Sequence, residues 1–335
     1  MTLLLDNADV RAVLRMRDVI DALDAAFVDY ARGGAVNRPR SHTYTHRGGA
    51  RHYLFKTMDG SLPRVGVHAL RLTSDLTDES NGKRVKIPAA PGERYVGLVL
   101  LFDLDTLAPV AILHDGYLQR MRVGATSALA ADRLARREAR RVGLIGAGWQ
   151  AGAQIEGLRQ VRDVDEIRVF APTRERLEAF AAEHHAVAVD SARDAVDGAD
   201  IVVLATNAQR PVLDGAWLAA GTHVNSVQRH ELDETTVARA DLVVVRSREE
   251  PTFHFVPGSA PRAVRERGID GVVELGDVLT GAVGRTDDEQ ITLFTGGGGL
   301  GIQFAAAAHA VYEAAREAGI GRDLPTEWFT QEEKP

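Results

Sequence analysis

Residues 141–151 read RVGLIGAGWQA, an apolar segment that runs directly into the pattern Gly-x-Gly-x-x-Ala and then into a helix-forming sequence. The first glycine, Gly146, allows a tight turn after a strand, and the second, Gly148, lets the backbone approach a pyrophosphate. The unpaired N–H groups at the start of the following helix then point at that anion. The stretch therefore predicts a dinucleotide site, to which Trp149 and Gln150 at the turn also belong.

The sequence after this stretch alternates strands with helices. A second strand, EIRVFAP, begins at residue 166, and a helix, RERLEAFAAEH, follows it. The segments IVVLAT, HVNSV and ADLVVVR continue the alternation, and strands that are apolar on both faces are typical of a parallel sheet covered by helices on both sides. We therefore predict an α/β fold, a Rossmann-type doubly wound parallel sheet, over residues 118–300.

The sequence before this stretch has a different pattern. Apolar residues recur at helical spacing over residues 8–32, and strand-like segments such as HYLFKTM and GVHALRL follow. Residues 73–94 are polar and rich in glycine, proline and charge, which predicts a long loop. A hairpin comes next, followed by a helix from about Tyr117 to Arg137. We expect a second α+β domain, built from residues 1–117 and, with the final helix, residues 301–335.

The composition of the 335-residue chain excludes several classes of function. The formal net charge is −7, from 40 Lys and Arg against 47 Asp and Glu, so a nucleic-acid binder with a basic face is not expected. The chain has no cysteine, which excludes disulfides, cysteine-ligated metal centres and thiol nucleophiles, and we predict no metal site. There is no apolar run of transmembrane length and no signal-peptide pattern, so we expect a cytoplasmic enzyme without membrane contact.

The basic residues are unevenly divided between the two types. Thirty-six are arginines and four are lysines, namely Lys56, Lys83, Lys86 and Lys334. We interpret the excess of arginine as a composition bias, so single arginines carry little information. A retained lysine carries more, because it suggests that a compact ammonium group is needed at that position.

The end of the second strand of the predicted dinucleotide fold decides between NAD and NADP. NAD sites usually place Asp or Glu there, to accept a hydrogen bond from the ribose 2′-hydroxyl. This chain reads FAPTR at residues 170–174, and its first acidic residue is Glu175. Thr173 and Arg174 are suited to a 2′-phosphate, so the sequence favours NADP(H) with NAD(H) as the alternative. The competing interpretation of Arg174 is a solvated arginine at the start of a helix.

Four further stretches carry a resemblance that covers nearly the whole chain: RPRSH at 38–42, YLFKTMDG at 53–60, LQRMRVGATSALAADRLA at 118–135 and ATNAQRPVLD at 205–214. With these stretches and the dinucleotide motif, the chain resembles the ornithine cyclodeaminase/mu-crystallin family. The resemblance implies a homodimer whose N-terminal part supplies the dimer contact and the substrate pocket. The family includes NAD-using cyclodeaminases, NAD(P)H-dependent imine reductases, amino-acid dehydrogenases and a thyroid-hormone-binding crystallin.

The resemblance also implies roles for individual residues. Arg40 resembles the arginine that binds the substrate carboxylate with a planar guanidinium, and Arg38 is the alternative for that role. Lys56 resembles the lysine that contacts the substrate carboxylate or the reacting nitrogen, the alternative being a solvent-facing strand lysine. Arg122 resembles an arginine between the substrate and the cofactor phosphates. The remaining positions implied for the cofactor are Gln150 at the pyrophosphate turn, Thr206 near the adenosine, and Asn225 and Val227 near the nicotinamide.

Departures from the family pattern decide the expected activity. Where cyclodeaminases carry a catalytic aspartate after the segment matching NSVQR, this chain has His230, followed by Glu231 and Asp233. A lysine that follows in cyclodeaminases has no counterpart, and Gln303 stands where an acidic residue is expected after the glycine run. A carboxylate handles the proton in cyclodeamination, so its loss argues against that reaction. His230 is suited to donating a proton near neutral pH, or is a strand-end residue without a chemical role.

We therefore expect an NAD(P)H-dependent reductase of an α-imino acid, or equivalently an amino-acid dehydrogenase running in reverse. Arg40 and Lys56 would hold the substrate carboxylate, the imine carbon would accept a hydride from the cofactor, and His230 or water would supply the proton. One alternative is a cyclodeaminase-type lyase that uses bound NAD. The other is an NADPH-dependent ligand-binding protein of the crystallin branch, with little catalysis.

Overall fold

The computed structural model of the chain describes residues 1–80, 85–247, 252–264, 271–296 and 298–332. The helices of this part are, in chain order, α1 (Asn7–Val13), α2 (Met16–Ala31), α3 (Asp115–Leu134), α4 (Trp149–Val161), α5 (Arg174–His184), α6 (Ala192–Val196), α7 (Glu234–Arg239), α8 (Leu275–Leu279) and α9 (Gly301–Ala318). The strands are β1 (Thr2–Leu5), β2 (Val36–Asn37), β3 (Ser41–His46), β4 (Arg51–Leu62), β5 (Val67–Asp78), β6 (Val85–Ile87), β7 (Val96–Asp103), β8 (Pro109–His114), β9 (Arg141–Ile145), β10 (Glu166–Phe170), β11 (Val187–Ala188), β12 (Ile201–Leu204), β13 (His223–Ser226), β14 (Leu242–Val245), β15 (Thr252–Phe255), β16 (Arg262–Val264), β17 (Val273–Glu274), β18 (Thr292–Thr295) and β19 (Arg322–Leu324).

The strands after α3 form a parallel sheet in the order β11-β10-β9-β12-β13-β18-β14-β17. Successive residues of β12 point to opposite faces, and each face has its own apolar cluster. Ile201 and Val203 belong to one cluster, and Val202 and Leu204 to the other. This arrangement confirms the predicted Rossmann-type doubly wound sheet. The strand order reverses between β9 and β12, the place where such sheets bind ligands.

The N-terminal sheet runs in the order β16-β15-β3-β4-β5-β7-β8-β1-β19, with β2 beside β4 and β6 beside β5. Helix α9 packs on one of its faces and α2 packs on α9. Phe27, Leu101 and Phe304 belong there to the largest apolar cluster of the described residues. β15 follows the parallel strand β14 in the chain but pairs with β3, with Phe253 opposite Ser41. The chain therefore returns to the N-terminal sheet after it has built most of the parallel sheet.

The loop predicted over residues 73–94 is wrong over much of its length. Strand β5 continues to Asp78, and β6 pairs with its end. The buried residues of this part of β5 are Thr73, Asp75 and Thr77, so its inward face is polar. Strands are recognised in sequence by alternating apolar residues, and that signal is missing here. Residues 81–84, which fall within the predicted loop, lie outside the described residues.

The helices flanking the parallel sheet agree closely with the sequence prediction. Small residues let α3 and α4 approach each other: a Cβ on Gly124 would overlap the backbone of Ala153, and a Cβ on Gly157 would lie 2.7 Å from the carbonyl oxygen of Gly124. The glycines and alanines of this stretch thus allow close contact between two helices.

The helix predicted over residues 8–32 is divided into α1 and α2. In the described part of the chain, no helix has the length and apolarity needed to cross a membrane.

Candidate active site

A cavity of about 860 Å³ lies where the N-terminal sheet faces the carboxyl end of the parallel sheet. Its walls come from β3, β4, β5 and β6, from α3, from the segment after β13, and from the glycine run before α9. The described lining residues include Arg40, Lys56, Arg122 and His230, so the structure brings together the four residues predicted to handle the substrate. The described residues of the lining are Arg40, His42, Lys56, Met58, Arg71, Thr73, Lys86, Gln119, Arg122, Gln228, Arg229, His230, Leu232, Gly298 and Gly299.

Strand register places the cationic residues of the cavity floor. Lys56 of β4 lies opposite His42 of β3 on one side and Thr73 of β5 on the other. Two residues further along β4, Met58 lies opposite Arg71. Because alternate residues of a strand share a face, these side chains form successive rows on one side of the sheet.

The two arginines proposed for the carboxylate differ in their surroundings. Arg40 lines the cavity directly before β3, and a Cβ on Gly298 would overlap its guanidinium. A glycine at position 298 therefore leaves the space that Arg40 occupies. Arg38 is largely exposed and pairs with Asp59, with Nε 3.2 Å from Oδ1. Its described contacts thus direct it away from the cavity, which it does not line.

Lys56 belongs to an arrangement of two lysines around one carboxylate. The Nζ of Lys56 is 3.0 Å from Oδ2 of Asp75, and the Nζ of Lys86 is 2.9 Å from Oδ1. Burial lowers the pKa of Lys56, although the Asp75 carboxylate opposes that change. Burial alone would raise the pKa of Asp75, but the attraction of the two lysines outweighs it and the pKa is lowered. The sequence interpretation missed Asp75 and Lys86, although the rarity of lysine could have drawn attention to Lys86.

Arg122 is a buried cation whose hydrogen bonds go to amides. Burial, with repulsion from Arg71 next, lowers its pKa to about 9, so the guanidinium remains charged at neutral pH. Its Nη2 donates to the amide oxygen of Gln119 at 2.9 Å, and its Nη1 to that of Gln303 at 3.4 Å. The guanidinium also lies over the ring of Phe304. Within the described residues, no carboxylate lies at ion-pair distance, so an anionic ligand is the natural partner for its charge.

The segment after β13 forms one turn of 3₁₀ helix over Arg229–Glu231. His230 is exposed there and faces the cavity. Glu231 is fully buried and accepts hydrogen bonds from the backbone N of Thr206 at 2.6 Å, from its Oγ1 at 2.7 Å, and from the backbone N of Gln228 at 2.9 Å. Glu231 therefore ties the loop after β12 to the cavity wall, and its carboxylate is not directed at a substrate.

The crevice at the ends of β9 and β12 fits a dinucleotide. Gly146 has φ +118°, and a Cβ there would overlap the carbonyl oxygen of Ala205. Gly148 precedes α4 without a side-chain cap, and a Cβ there would meet no atom within 4 Å, so the backbone at the helix start is open to a ligand. The Oε1 of Gln150 is buried without a hydrogen-bond partner among the described residues. Trp149, the first residue of α4, is half exposed beside this opening.

The other residues predicted for the cofactor have mixed surroundings. Val227 follows β13 and Thr206 follows β12, both on the edge that carries Gly146. Asn225 is fully buried, and its Nδ2 donates to the carbonyl oxygen of Ser127 at 3.1 Å, which directs it toward α3. Thr173 and Arg174 are exposed at the start of α5. The Arg174 guanidinium donates to Glu178 at 2.5 Å and to Asp190 at 2.7 Å.

Comparison with known proteins places this geometry in a family. The family model for ornithine cyclodeaminase/mu-crystallin proteins matches residues 1–319. The chain belongs to that family. The match extends over both sheets and ends just after α9, so it covers the cavity and the dinucleotide crevice together.

Three relatives illustrate the similarity of this family member to known proteins. A Delta(1)-pyrroline-2-carboxylate reductase of Bacillus cereus is 35% identical over 243 residues, which is 68% of this chain and 74% of the relative. The structure of the Thermococcus litoralis Delta(1)-pyrroline-2-carboxylate reductase with NADH and L-proline has 28% identity and a TM-score of 0.77, covering 96% of this chain and 100% of that one. The structure of an archaeal alanine dehydrogenase dimer with bound NAD has 26% identity and a TM-score of 0.78, covering 97% and 99%.

Proposed function

We propose that the protein is an NAD(P)H-dependent reductase of α-imino acids, which in the reverse direction acts as an amino-acid dehydrogenase. The observation that carries the proposal is the convergence of Arg40, Lys56 and Arg122 on one cavity beside the dinucleotide crevice. A pocket lined by these cations is suited to a small carboxylate. The relatives support it, because they are reductases and dehydrogenases of imino and amino acids.

The cavity residues divide the work between binding and proton handling. Arg40 and Arg122 bind the substrate carboxylate, since a guanidinium offers two parallel donors to its two oxygens. That contact would hold the imine carbon on the side of the cavity that adjoins the dinucleotide crevice, where the resemblance implies Val227 beside the nicotinamide. When bound, the nicotinamide supplies the hydride that the imine carbon accepts. Lys56 and His230 both line the cavity and are the two groups suited to giving the imine nitrogen its proton.

A substrate panel tests the proposal. The protein is incubated with NADPH or NADH and with Δ(1)-pyrroline-2-carboxylate or pyruvate plus ammonia, while oxidation of the cofactor is followed. We expect turnover with at least one α-imino acid, and loss of that turnover in Lys56→Ala. Tight cofactor binding without turnover of any imino acid would contradict the proposal. Ammonia release from ornithine without net change in the cofactor would instead indicate a cyclodeaminase.

The cofactor is a nicotinamide dinucleotide, and we propose that NADP(H) is the preferred form. The end of β10 carries no carboxylate to bind a ribose 2′-hydroxyl, and Arg174 lies one turn away from it at the start of α5. Its ion pairs with Glu178 and Asp190 are exposed, and such pairs yield readily to a competing phosphate. The ratio of kcat/KM for NADPH and NADH measures the preference. A ratio in favour of NADH would contradict it.

The outer face of the N-terminal sheet supports a homodimer. Leu70 lies opposite Leu100, Leu72 opposite Leu98, and Ile112 opposite Leu100. All five side chains are only half-buried in a single chain, although antiparallel sheets that face water usually carry polar residues there. We expect a second copy of the chain to cover this face. Sedimentation should therefore show a dimer for the wild type and a smaller species for Leu100→Glu, whereas a monomeric wild type would contradict the assignment.

A further inference from the structure

One carboxylate at the cavity floor is shared by two ammonium groups. Each oxygen of Asp75 has its own lysine, Oδ2 with Lys56 and Oδ1 with Lys86. The Asp75 side chain is 1% exposed, against 23% for Lys56 and 48% for Lys86. Both lysines line the cavity, and Lys56 is the less exposed of the two.

The surroundings of Lys56 are otherwise cationic. Lys86 and Arg71 both lower the pKa of Lys56 by repulsion, in addition to the larger effect of burial. Arg71 is itself paired with Asp115, with Nε 2.5 Å from Oδ2, so that carboxylate is already engaged. The other titratable or charged groups that line the cavity around Lys56 are Arg40 and His42 from the side of β3, Arg122 from α3, and Arg229 and His230 from the segment after β13.

A neutral Lys56 would leave a carboxylate buried beside it. An unpaired buried charge is strongly destabilising, so an isolated Lys56–Asp75 pair would resist loss of the lysine proton. Here the Nζ of Lys86 lies 2.9 Å from the other oxygen of Asp75, so this carboxylate has a second counter-ion besides Lys56. The carboxylate therefore keeps a counter-ion, and the cost of removing the proton from Lys56 falls.

We propose that Asp75 and Lys86 are positioning residues for Lys56, which donates its ammonium proton to the imine nitrogen, with Lys86 as the counter-ion that stays on Asp75 after the transfer. The inference rests on the proposed function and adds to it the choice of Lys56 over His230 as proton donor. The step balances: the C=N π electrons form the new N–H bond with the proton of Lys56, while the imine carbon gains the hydride. Neutral Lys56 then recovers a proton from solvent.

Two variants move the acidity of Lys56 in opposite directions. Lys86→Met removes a repelling charge and the counter-ion, so the pKa of Lys56 rises. Asp75→Asn removes the attracting charge, so the pKa of Lys56 falls. Lys86→Arg keeps the charge and restores the wild-type value. Asp78→Asn is the matched control, because Asp78 lies on the same strand but pairs with Arg51, at 3.2 Å, outside the cavity lining.

Two readouts test the proposal. Acetylation of Lys56 as a function of pH, followed by peptide mass spectrometry on the protein with its nicotinamide cofactor bound, gives the pKa of Lys56 without reference to turnover. The pH profile of kcat/KM for imine reduction gives the kinetic counterpart, because the rate falls as pH rises through the pKa of the donor. In both variants we expect the fall of kcat/KM at high pH to move in the same direction as the pKa obtained from labelling. We also expect kcat of Lys86→Met to fall while KM changes little.

The outcomes are separable. If Lys86→Met and Asp75→Asn leave the labelling profile unchanged or shift it in the same direction, the pairing of the three residues is overturned. If the labelling profile shifts and the kinetic limb does not follow, Lys56 is not the proton donor, although imine reduction stands. A wild type that turns over no α-imino acid removes the proposed function itself, and the proton transfer with it. Melting curves of Lys86→Met, whose side chain is half exposed, separate these effects from misfolding.

Discussion

The two sheets of the protein present different kinds of groups to the candidate site. In the parallel sheet, every residue of β12, β13 and β18 is buried, and the dinucleotide crevice is formed by backbone at Gly146 and Gly148. In the N-terminal sheet, β5 buries Thr73, Asp75 and Thr77, and the cavity is formed by charged side chains. On the proposed function, substitutions in the N-terminal sheet should act mainly on the reaction, and substitutions at the parallel sheet should act mainly on the affinity for the cofactor.

Replacing Lys56 should have the largest effect on the reaction side of this comparison. Removal of a proton donor costs about 10²- to 10⁴-fold in rate, so Lys56→Met should lower kcat for imine reduction by that range while cofactor binding is retained. Lys56→Arg should recover little of it, because an arginine keeps its proton at the working pH. Steady-state kinetics and cofactor titration measure both effects. Recovery of wild-type rates in Lys56→Arg would show that only a positive charge is needed.

Substitution of Gly298 tests the junction of the two sheets. In Gly298→Ala the new methyl group would overlap the guanidinium of Arg40, which must then leave its present position. A misplacement of about 1 Å costs roughly a hundredfold in kcat/KM. The control is Gly284→Ala, where a Cβ meets no atom within 4 Å. Equal kcat/KM values for the two alanine variants would mean that Arg40 does not bind the substrate.

Glu231→Gln tests the parallel-sheet side. The carboxylate accepts three hydrogen bonds that fix Thr206 and Gln228, and an amide can accept with one oxygen only. Loss of a hydrogen bond to a charged group costs about 1.5–3 kcal/mol, so KM for the cofactor should rise by about tenfold or more with a small change in kcat. The neighbouring exposed Glu234, replaced by Gln, serves as control. A fall in kcat without a change in cofactor KM would contradict the division between the sheets.

Arg174→Ala should give the smallest effect. Its guanidinium is exposed and already paired with Glu178 and Asp190, so we expect only a several-fold decrease in the preference for NADPH over NADH. The ratio of the two kcat/KM values measures the effect, and Arg176→Ala on the same helix is the control. An unchanged ratio in Arg174→Ala would assign the discrimination to another residue.

The parallel-sheet half of the molecule could be predicted from sequence because its strands, turns and helices are specified by residues close together in the chain. A strand, a glycine turn and a helix follow one another within residues 141–161, and the parallel fold and the family are confirmed. The roles of Arg40, Lys56, Arg122 and His230 came from the resemblance and stay predictions, although one cavity holds all four.

The other half could not be predicted because its contacts join distant residues. Asp75 pairs with Lys56 although the two are 19 residues apart in the chain. It lies on a strand whose inward face is polar, so the sequence of that strand resembles that of a loop. Gly298 reaches Arg40 only after the chain has crossed the parallel sheet. The resemblance implied Asn225 near the nicotinamide, but its side chain donates to a backbone carbonyl of α3. Glu231 is buried and accepts from the backbone of the loop after β12. No local pattern reports which side of the backbone such a residue faces.

The neutral amide of Gln303 beneath Arg122 has a consequence for the solution behaviour of the protein. Its Nε2 donates to Thr126 and its oxygen accepts from the backbone of Leu300 and from Arg122, so a fixed dipole stands where an acid would have neutralised the guanidinium. The described lining of the cavity therefore carries an excess of positive charge that attracts small anions of any kind. Sulfate, phosphate and chloride should compete with the substrate, and apparent affinity should fall with ionic strength. Buffers free of multivalent anions would reveal the full affinity of the site.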